Sequence, residues 1–228
     1  MIQTVLWDVD GTLLDFLASE KVSVRKCFEH FSFGDCTEEK LRLYSEINRS
    51  WWEKLERNEC TKYETLSYRF RDFFREIGVD FTDYDALNVY YQKQLGENAS
   101  FFPGARECLL ALKGRYLQAA VTNGTRPVQK RKLELTGLDR VFDAVFISDE
   151  IGFEKPNPEF FDAVFRALPD SRREETIIIG DSLSSDIKGG KAAGIRTCHF
   201  CPGKIPEKEN ADFVVRTFEE IPPLIQRI

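Results

Sequence analysis

Asp8 and Asp10 stand two residues apart in "LWDVDGTLLD", with Gly11 and Thr12 directly behind them. Carboxylates that close repel each other by roughly 4 kcal/mol at about 4 Å in a medium of effective dielectric near 20. A fold accommodates that only where a cation, a proton or a chemical task offsets the repulsion. Three more polar signatures occur downstream: Thr122-Asn123-Gly124, Lys155-Pro156, and Gly180-Asp181 with Asp186 five residues on. Carboxylate oxygens suit Mg²⁺, which takes octahedral oxygen coordination and keeps waters that a ligand oxygen can replace. Lys155, the Thr122 hydroxyl and backbone N–H groups around Val9, Asn123 and Gly124 are suited to anionic oxygens, so together the set fits a phosphoryl group.

Residues so far apart meet only if the fold brings them together. Each signature follows an apolar stretch that reads as a buried strand: 2–7 (IQTVLW), 116–121 (YLQAAV), 144–147 (AVFI) and 176–179 (TIII), with a further strand at 195–200 (IRTCHF). Helical segments at about 105–113, 127–136, 158–168 and 185–193 separate them, and Phe213 to Val215 is a candidate edge strand. This alternation predicts an α/β fold, a doubly wound parallel sheet covered on both faces. Ligands in such sheets bind outside the carboxyl ends of the strands, where the strand order reverses. The signatures therefore converge on one volume.

Residues 16–98 have a different texture. Leu41, Tyr44, Ile47, Trp51 and Leu55 form one helical stripe, and Tyr63, Leu66, Phe70, Phe73, Phe74 and Ile77 another. The second opens with a capping box at Thr61 and Glu64 and stops at Gly78. Leu17, Val24, Cys27, Phe28 and Phe31 mark an earlier helix; Tyr84, Leu87, Tyr91 and Leu95 mark a later one behind Thr82 and Asp83. The expectation is a four-helix domain at 16–98 inserted in a core made of 1–15 and 99–228, with hinges near Asp15–Leu17 and Gly96–Pro103. The stretch from Pro202 to Asn210 reads as turn-rich.

The 228 residues, 42% hydrophobic and 31% charged, fit an ordinary globular protein with a sizeable core. A net charge of −6 with dispersed Lys and Arg argues against nucleic acid or an anionic membrane as partner. No signal-peptide pattern opens the chain and no apolar run reaches the roughly 20 residues of a membrane span, so a cytoplasmic protein is expected. Cys198 and Cys201 form a lone C-x-x-C without a second pair, which favours plain thiols over zinc or redox chemistry.

The set DVDGT, T-N, K-P and GDSLSSD, in this order and spacing, resembles the four motifs of the haloacid dehalogenase (HAD) superfamily of phosphohydrolases. The resemblance implies a Rossmann-like core and a first-type helical cap. It implies Asp8 as the nucleophile that forms an aspartyl-phosphate, and Asp10 as the acid, then base. It further implies Mg²⁺ held by Asp8, the backbone carbonyl of Asp10, and Asp181, with Asp186 behind them. Thr122, Asn123 and Lys155 fall at the phosphate-binding positions. Displacing a halide needs neither the second carboxylate nor the metal, so dehalogenation is not expected.

The stretches "INRSWWEKLERNECTKYETLSYRF" and "DEIGFEKPNPEFF" resemble the pyrimidine 5′-nucleotidase branch, implying a nucleoside monophosphate as substrate. Trp52, Asn48 and Arg69 are the candidate base contacts, against the plain alternative that aromatics at helical spacing are core. Taken singly, each core signature also has a plain reading as a turn, a cap or a solvated charge; their combination is what carries the inference. Rival functions are a phosphatase or phosphomutase for a small sugar- or acid-phosphate, and a non-catalytic phosphometabolite-binding module. A monomer or homodimer is expected.

Overall fold

The computed structural model describes residues 1–203 and 210–228, so much of the turn-rich stretch expected at Pro202 to Asn210 lies outside the described residues. The chain divides into two compact units, Met1–Asp15 with Ser100–Ile228, and Phe16–Ala99.

The first unit is built on six strands, β1 (Thr4–Trp7), β2 (Leu117–Thr122), β3 (Ala144–Ile147), β4 (Thr176–Gly180), β5 (Arg196–Phe200) and β6 (Phe213–Val215). All pairings are parallel and the order is β3-β2-β1-β4-β5-β6. From β1 the chain steps outward to β2 and β3, then crosses back to β4, β5 and β6. The order therefore reverses beside β1, the position at which a doubly wound sheet opens a crevice. Every residue of β1 and β4 is buried, as a parallel strand covered on both faces requires. Leu6, Val121 and Ile178 share one face and pack with Phe160, Phe161 and Val164 of α8 (Pro158–Ala167). A side chain of that size contributes about 1.5–3 kcal/mol on full burial. Gln118 is a polar exception in β2, held by Trp7 Nε1 at 3.1 Å while donating to the Leu109 carbonyl at 3.0 Å.

The remaining helices of this unit are α5 (Ala105–Leu112), α6 (Arg126–Thr136), α7 (Ser148–Ile151), α9 (Lys188–Ala192) and α10 (Ile221–Arg227). The single helix expected at 185–193 is instead a π-helical turn, Leu183–Ile187, running into α9. Ser182 caps that turn by accepting from Ser185 N at 3.1 Å.

The second unit holds α1 (Phe16–Phe31), α2 (Glu38–Glu56), α3 (Lys62–Ile77) and α4 (Tyr84–Glu97). Thr61 and Glu64 form the expected capping box, Gly78 ends α3 in the left-handed region, and Asp83 caps α4. Two residues of the expected apolar stripes face solvent, Leu17 at 56% and Tyr63 at 61% exposure. On α3 the interior positions beside Tyr63 go to Thr65, Ser67 and Arg69, because this unit buries polar side chains along with its aromatic core. The two chain segments at the unit boundary pair with each other. Asp15 N donates to Ser100 O at 2.9 Å, and Phe102 N to Leu13 O at 3.0 Å.

Candidate active site

Asp8 follows directly on β1, and its N–H continues the ladder to Ile179 O at 2.9 Å. The chain then turns tightly, Leu13 N and Leu14 N both reaching Val9 O at 3.0 and 2.9 Å. Gly11 sits in that turn at φ 95°, where a Cβ would come 2.5 Å from Asp181 Oδ2. Only glycine meets both demands, the positive φ and the close approach of the carboxylate. Across the crevice, a Cβ on Gly180 would lie 2.3 Å from Asp186 Cγ, so a missing side chain there makes room for Asp186.

Lys155 organises the carboxylates. Its Nζ donates to Asp8 Oδ1 at 2.8 Å, to Asp186 Oδ1 at 2.7 Å and to Val121 O at 2.7 Å. An ammonium has three N–H donors, and all three are engaged. Thr12 Oγ1 bridges the other side, 3.0 Å from Asp8 Oδ2 and 3.2 Å from Asp181 Oδ1. Asp186 Oδ2 also accepts from Ser182 N at 3.1 Å, and Asp181 O lies 3.1 Å from His199 Nε2.

The electrostatics follow from burial. Asp8 is pushed up to about 7, by burial first, with the charges of Asp186 and Asp10 adding and Lys155 opposing. Asp181 rises well above the carboxylate range, through burial and then the charges of Asp8 and Asp186, though part of the residue remains exposed. Burial would lower Lys155, but Asp186 and Asp8 outweigh it and raise it. The ammonium thus stays charged, while burial and mutual repulsion disfavour negative charge on Asp8 and Asp181, an effect that a divalent cation would oppose. One oxygen from each of Asp8, Asp181 and Asp186 falls within a 4.8 Å group, which fits a hard divalent ion. Asp186 already accepts from Lys155 and Ser182 N, and Asp8 from Lys155 and Thr12. Among the described residues, no metal-holding group includes Cys198 or Cys201.

The other expected phosphate contacts are also at this end of the sheet. Thr122, at the end of β2, accepts from Gly124 N at 3.1 Å. The Asn123 side chain turns to Lys155: Nδ2 donates to Lys155 O and Oδ1 accepts from Lys155 N, both at 2.8 Å. Its amide is a clamp between the two loops, leaving its backbone as the part suited to phosphate. Asp10 lies against two residues that the sequence reading passed over, Gln129 and Lys132 of α6. Both are polar side chains on a buried helix face, which apolar periodicity cannot register. Their spacing of three behind the Thr122 loop was the available signal.

The three residues expected to meet a base lie in the helical unit. Asn48 is 2% exposed, its Nδ2 donating to Glu20 Oε2 at 2.6 Å and its Oδ1 accepting from Arg69 Nη1 at 2.8 Å. Arg69, 1% exposed, also donates to Asn88 Oδ1 at 3.0 Å. Ser45 donates to Glu20 as well, and burial raises Glu20 above its usual value. Asn48 and Arg69 are therefore parts of a buried network, with only Arg69 Nε among their side-chain nitrogens lacking a partner. Trp52 is half-buried on the same helix as Asn48.

Residues 5–200 match the haloacid dehalogenase-like hydrolase family. The HAD-hydrolase YfnB of Bacillus subtilis is 35% identical over 95% of this chain and 90% of its own. The crystal structure of YfnB bound to magnesium, which reveals interdomain movement, superposes with a TM-score of 0.92 at 34% identity, covering 98% of both chains. The pyrimidine 5′-nucleotidase PynA of Streptococcus pneumoniae is 34% identical over 87% of this chain and 83% of its own. The glyceraldehyde 3-phosphate phosphatase of Pyrococcus furiosus is 28% identical over 99% of this chain and 94% of its own. Sheet order, the carboxylates at the β1 and β4 ends, the lysine between them and these relatives agree: the chain belongs to the haloacid dehalogenase-like hydrolase family.

Proposed function

We propose that this protein is a Mg²⁺-dependent phosphatase that hydrolyses nucleoside 5′-monophosphates, pyrimidine ones by preference, through an aspartyl-phosphate on Asp8. The observation that carries the reading is the pair of acidic residues with different surroundings. Asp8 faces Lys155 and Thr12, while Asp10 is turned to Gln129 and Lys132. The separate surroundings support separate roles, attack by Asp8 and proton transfer by Asp10, a division of labour that halide displacement does not use.

Bound Mg²⁺ would be held by Asp8, Asp181 and the Asp10 carbonyl, and would supply positive charge to the phosphate oxygens. The protein supplies the rest. Lys155 and Thr12 hold the Asp8 carboxylate in place, so that little reorganisation is needed as its oxygen bonds to phosphorus. As that bond forms, the ester P–O bond breaks and the Asp10 carboxyl gives its proton to the departing oxygen. Asp10 then takes a proton from the water that attacks the acyl phosphate, releasing phosphate and restoring Asp8. Acid–base help of this kind contributes about 10²–10⁴-fold. Covalent participation by Asp8 divides a slow hydrolysis into two easier steps. The helical unit acts as the cap, moving about the paired segments near Asp15 and Ser100 to exclude water, with Trp52 its candidate base-stacking residue.

The nucleotide preference is supported by the likeness to PynA, and the Mg²⁺ requirement by the likeness to the magnesium-bound YfnB structure. A phosphate-release assay with Mg²⁺ over UMP, dUMP, dTMP and sugar phosphates tests it. Turnover of the nucleotides with loss of all activity in Asp8→Asn is expected. Inert nucleotides beside an active sugar phosphate would move the assignment to the second reading, a small sugar- or acid-phosphate phosphatase, supported by the Pyrococcus furiosus relative.

A further inference from the structure

Both oxygens of the Asp10 carboxylate are occupied, Oδ2 by Gln129 Nε2 at 2.6 Å and Oδ1 by Lys132 Nζ at 2.5 Å. The two donors stand three residues apart on α6 and so share one face of it. Each is 1% exposed. Burying an ammonium and an amide is costly unless a partner satisfies them, and Asp10 is such a partner. A second observation concerns the loop in front. A Cβ on Gly124 would lie 2.1 Å from Gln129 Nε2 and 2.7 Å from its Cδ. Gln129 therefore reaches Asp10 by crossing directly over residue 124, which explains why that loop position carries no side chain. Gln129 Oε1 is buried without a hydrogen-bond partner, so on the hydrogen-bonding side Nε2 alone orients the amide.

We infer that Gln129 and Lys132, with Gly124 giving passage, are the positioning residues for Asp10. They set the direction from which its carboxyl meets the oxygen that leaves phosphorus. The inference rests on the phosphatase reading of Asp8 and Asp10. An alkoxide leaves only with a proton supplied as the P–O bond breaks, whereas p-nitrophenolate is a stable anion that leaves without one. Misplacing Asp10 should therefore slow phosphoryl transfer from an alkyl ester and spare transfer from an aryl ester.

The test compares kcat/KM for p-nitrophenyl phosphate with that for UMP, or for glyceraldehyde 3-phosphate if the wild-type enzyme prefers it, in Lys132→Met, Gln129→Leu and Gly124→Ala. A fall of about 10–100-fold on the alkyl ester, with less than about 3-fold on the aryl ester, is expected from the size of proton-transfer contributions. Gly124→Ala, a substitution outside α6, should follow Gln129→Leu by displacing the Gln129 amide, and Lys132→Arg should recover part of the loss. Equal falls on both esters, or none, would overturn the inference. A wild-type enzyme inert on every ester would instead remove the phosphatase reading. Crystal structures of Lys132→Met and Gln129→Leu then decide the positioning by themselves: a displaced Asp10 carboxylate supports it, and an unmoved one overturns it.

Discussion

Asn123 and Lys155 bind one another by the edges of two amides: Asn123 Nδ2 donates to Lys155 O and Lys155 N donates to Asn123 Oδ1, each at 2.8 Å. The side chain of one loop thus imitates a neighbouring strand for the backbone of the next, and fixes the stem from which the Lys155 ammonium reaches Asp8. Asn123→Ala should cost about 1–3 kcal/mol through the unpaired backbone groups. It should lower kcat more than it raises KM, because Lys155 loses its alignment with the nucleophile. Urea unfolding and steady-state kinetics on the same preparation check both.

Lys155→Met should be more damaging. It leaves Asp8 and Asp186 facing each other with no ammonium between them, and removing one partner of a buried ion pair costs about 3–5 kcal/mol. Phosphate release should become undetectable, while added Mg²⁺ should return part of the lost thermal stability by supplying positive charge. Thermal melts with and without Mg²⁺ read this out.

The raised value of Asp8, about 7, predicts a pH dependence of stability in metal-free protein. An unfolded Asp titrates near about 3.9, so between about pH 4 and 7 the folded chain holds a proton that the unfolded chain has released. Stability is then greatest below that window and falls as pH rises through it. Asp181, shifted in the same direction, adds to the slope. Because Mg²⁺ competes with those protons, its stabilising effect should be larger at about pH 8 than at about pH 5. Asp8→Asn should flatten the metal-free slope.

Gly180→Ala should act on the site from behind. Its Cβ would fall 2.3 Å from Asp186 Cγ, so Asp186 must move and Lys155 loses its second carboxylate. A destabilisation of about 1–3 kcal/mol is expected, as for other overpacked positions. The Asp8 carboxylate should take up a new position in a crystal structure of the variant, and Mg²⁺ affinity measured by calorimetry should fall.

In the helical unit, Arg69→Met and Trp52→Ala should separate scaffold from substrate contact. Arg69 donates to Asn48 and Asn88, and Asn48 in turn donates to Glu20, all within the buried network. Its loss should lower stability by about 1–3 kcal/mol, the cost of leaving the Asn48 and Asn88 amide oxygens without its N–H donors. Trp52→Ala should leave the melting temperature nearly unchanged and raise KM for nucleotides but not for p-nitrophenyl phosphate.

The strands and their polar ends were legible because the signals are local. Continuous apolar runs such as TVLW and TIIIG declare buried parallel strands, and each ends in the residue types that the chemistry needs. The capping box at Thr61 and Glu64 was legible for the same reason, since both partners lie within one turn. Periodicity misjudged Leu17 and Tyr63, because it assigns interiors to apolar residues and this unit buries polar ones as well.

By itself the sequence determined the α/β order, the inserted helices and the set of groups gathered at the carboxyl ends of the strands, since parallel pairing brings those ends together whatever the loops do. Only the tertiary structure decided which side chain holds which. Lys155 reaches Asp8 across 147 positions and Gln129 reaches Asp10 across 119, and both contacts depend on loop paths and on glycines that let one chain segment pass against another. Such contacts leave no periodic trace, because they are set by packing between distant segments rather than by the geometry of any one element.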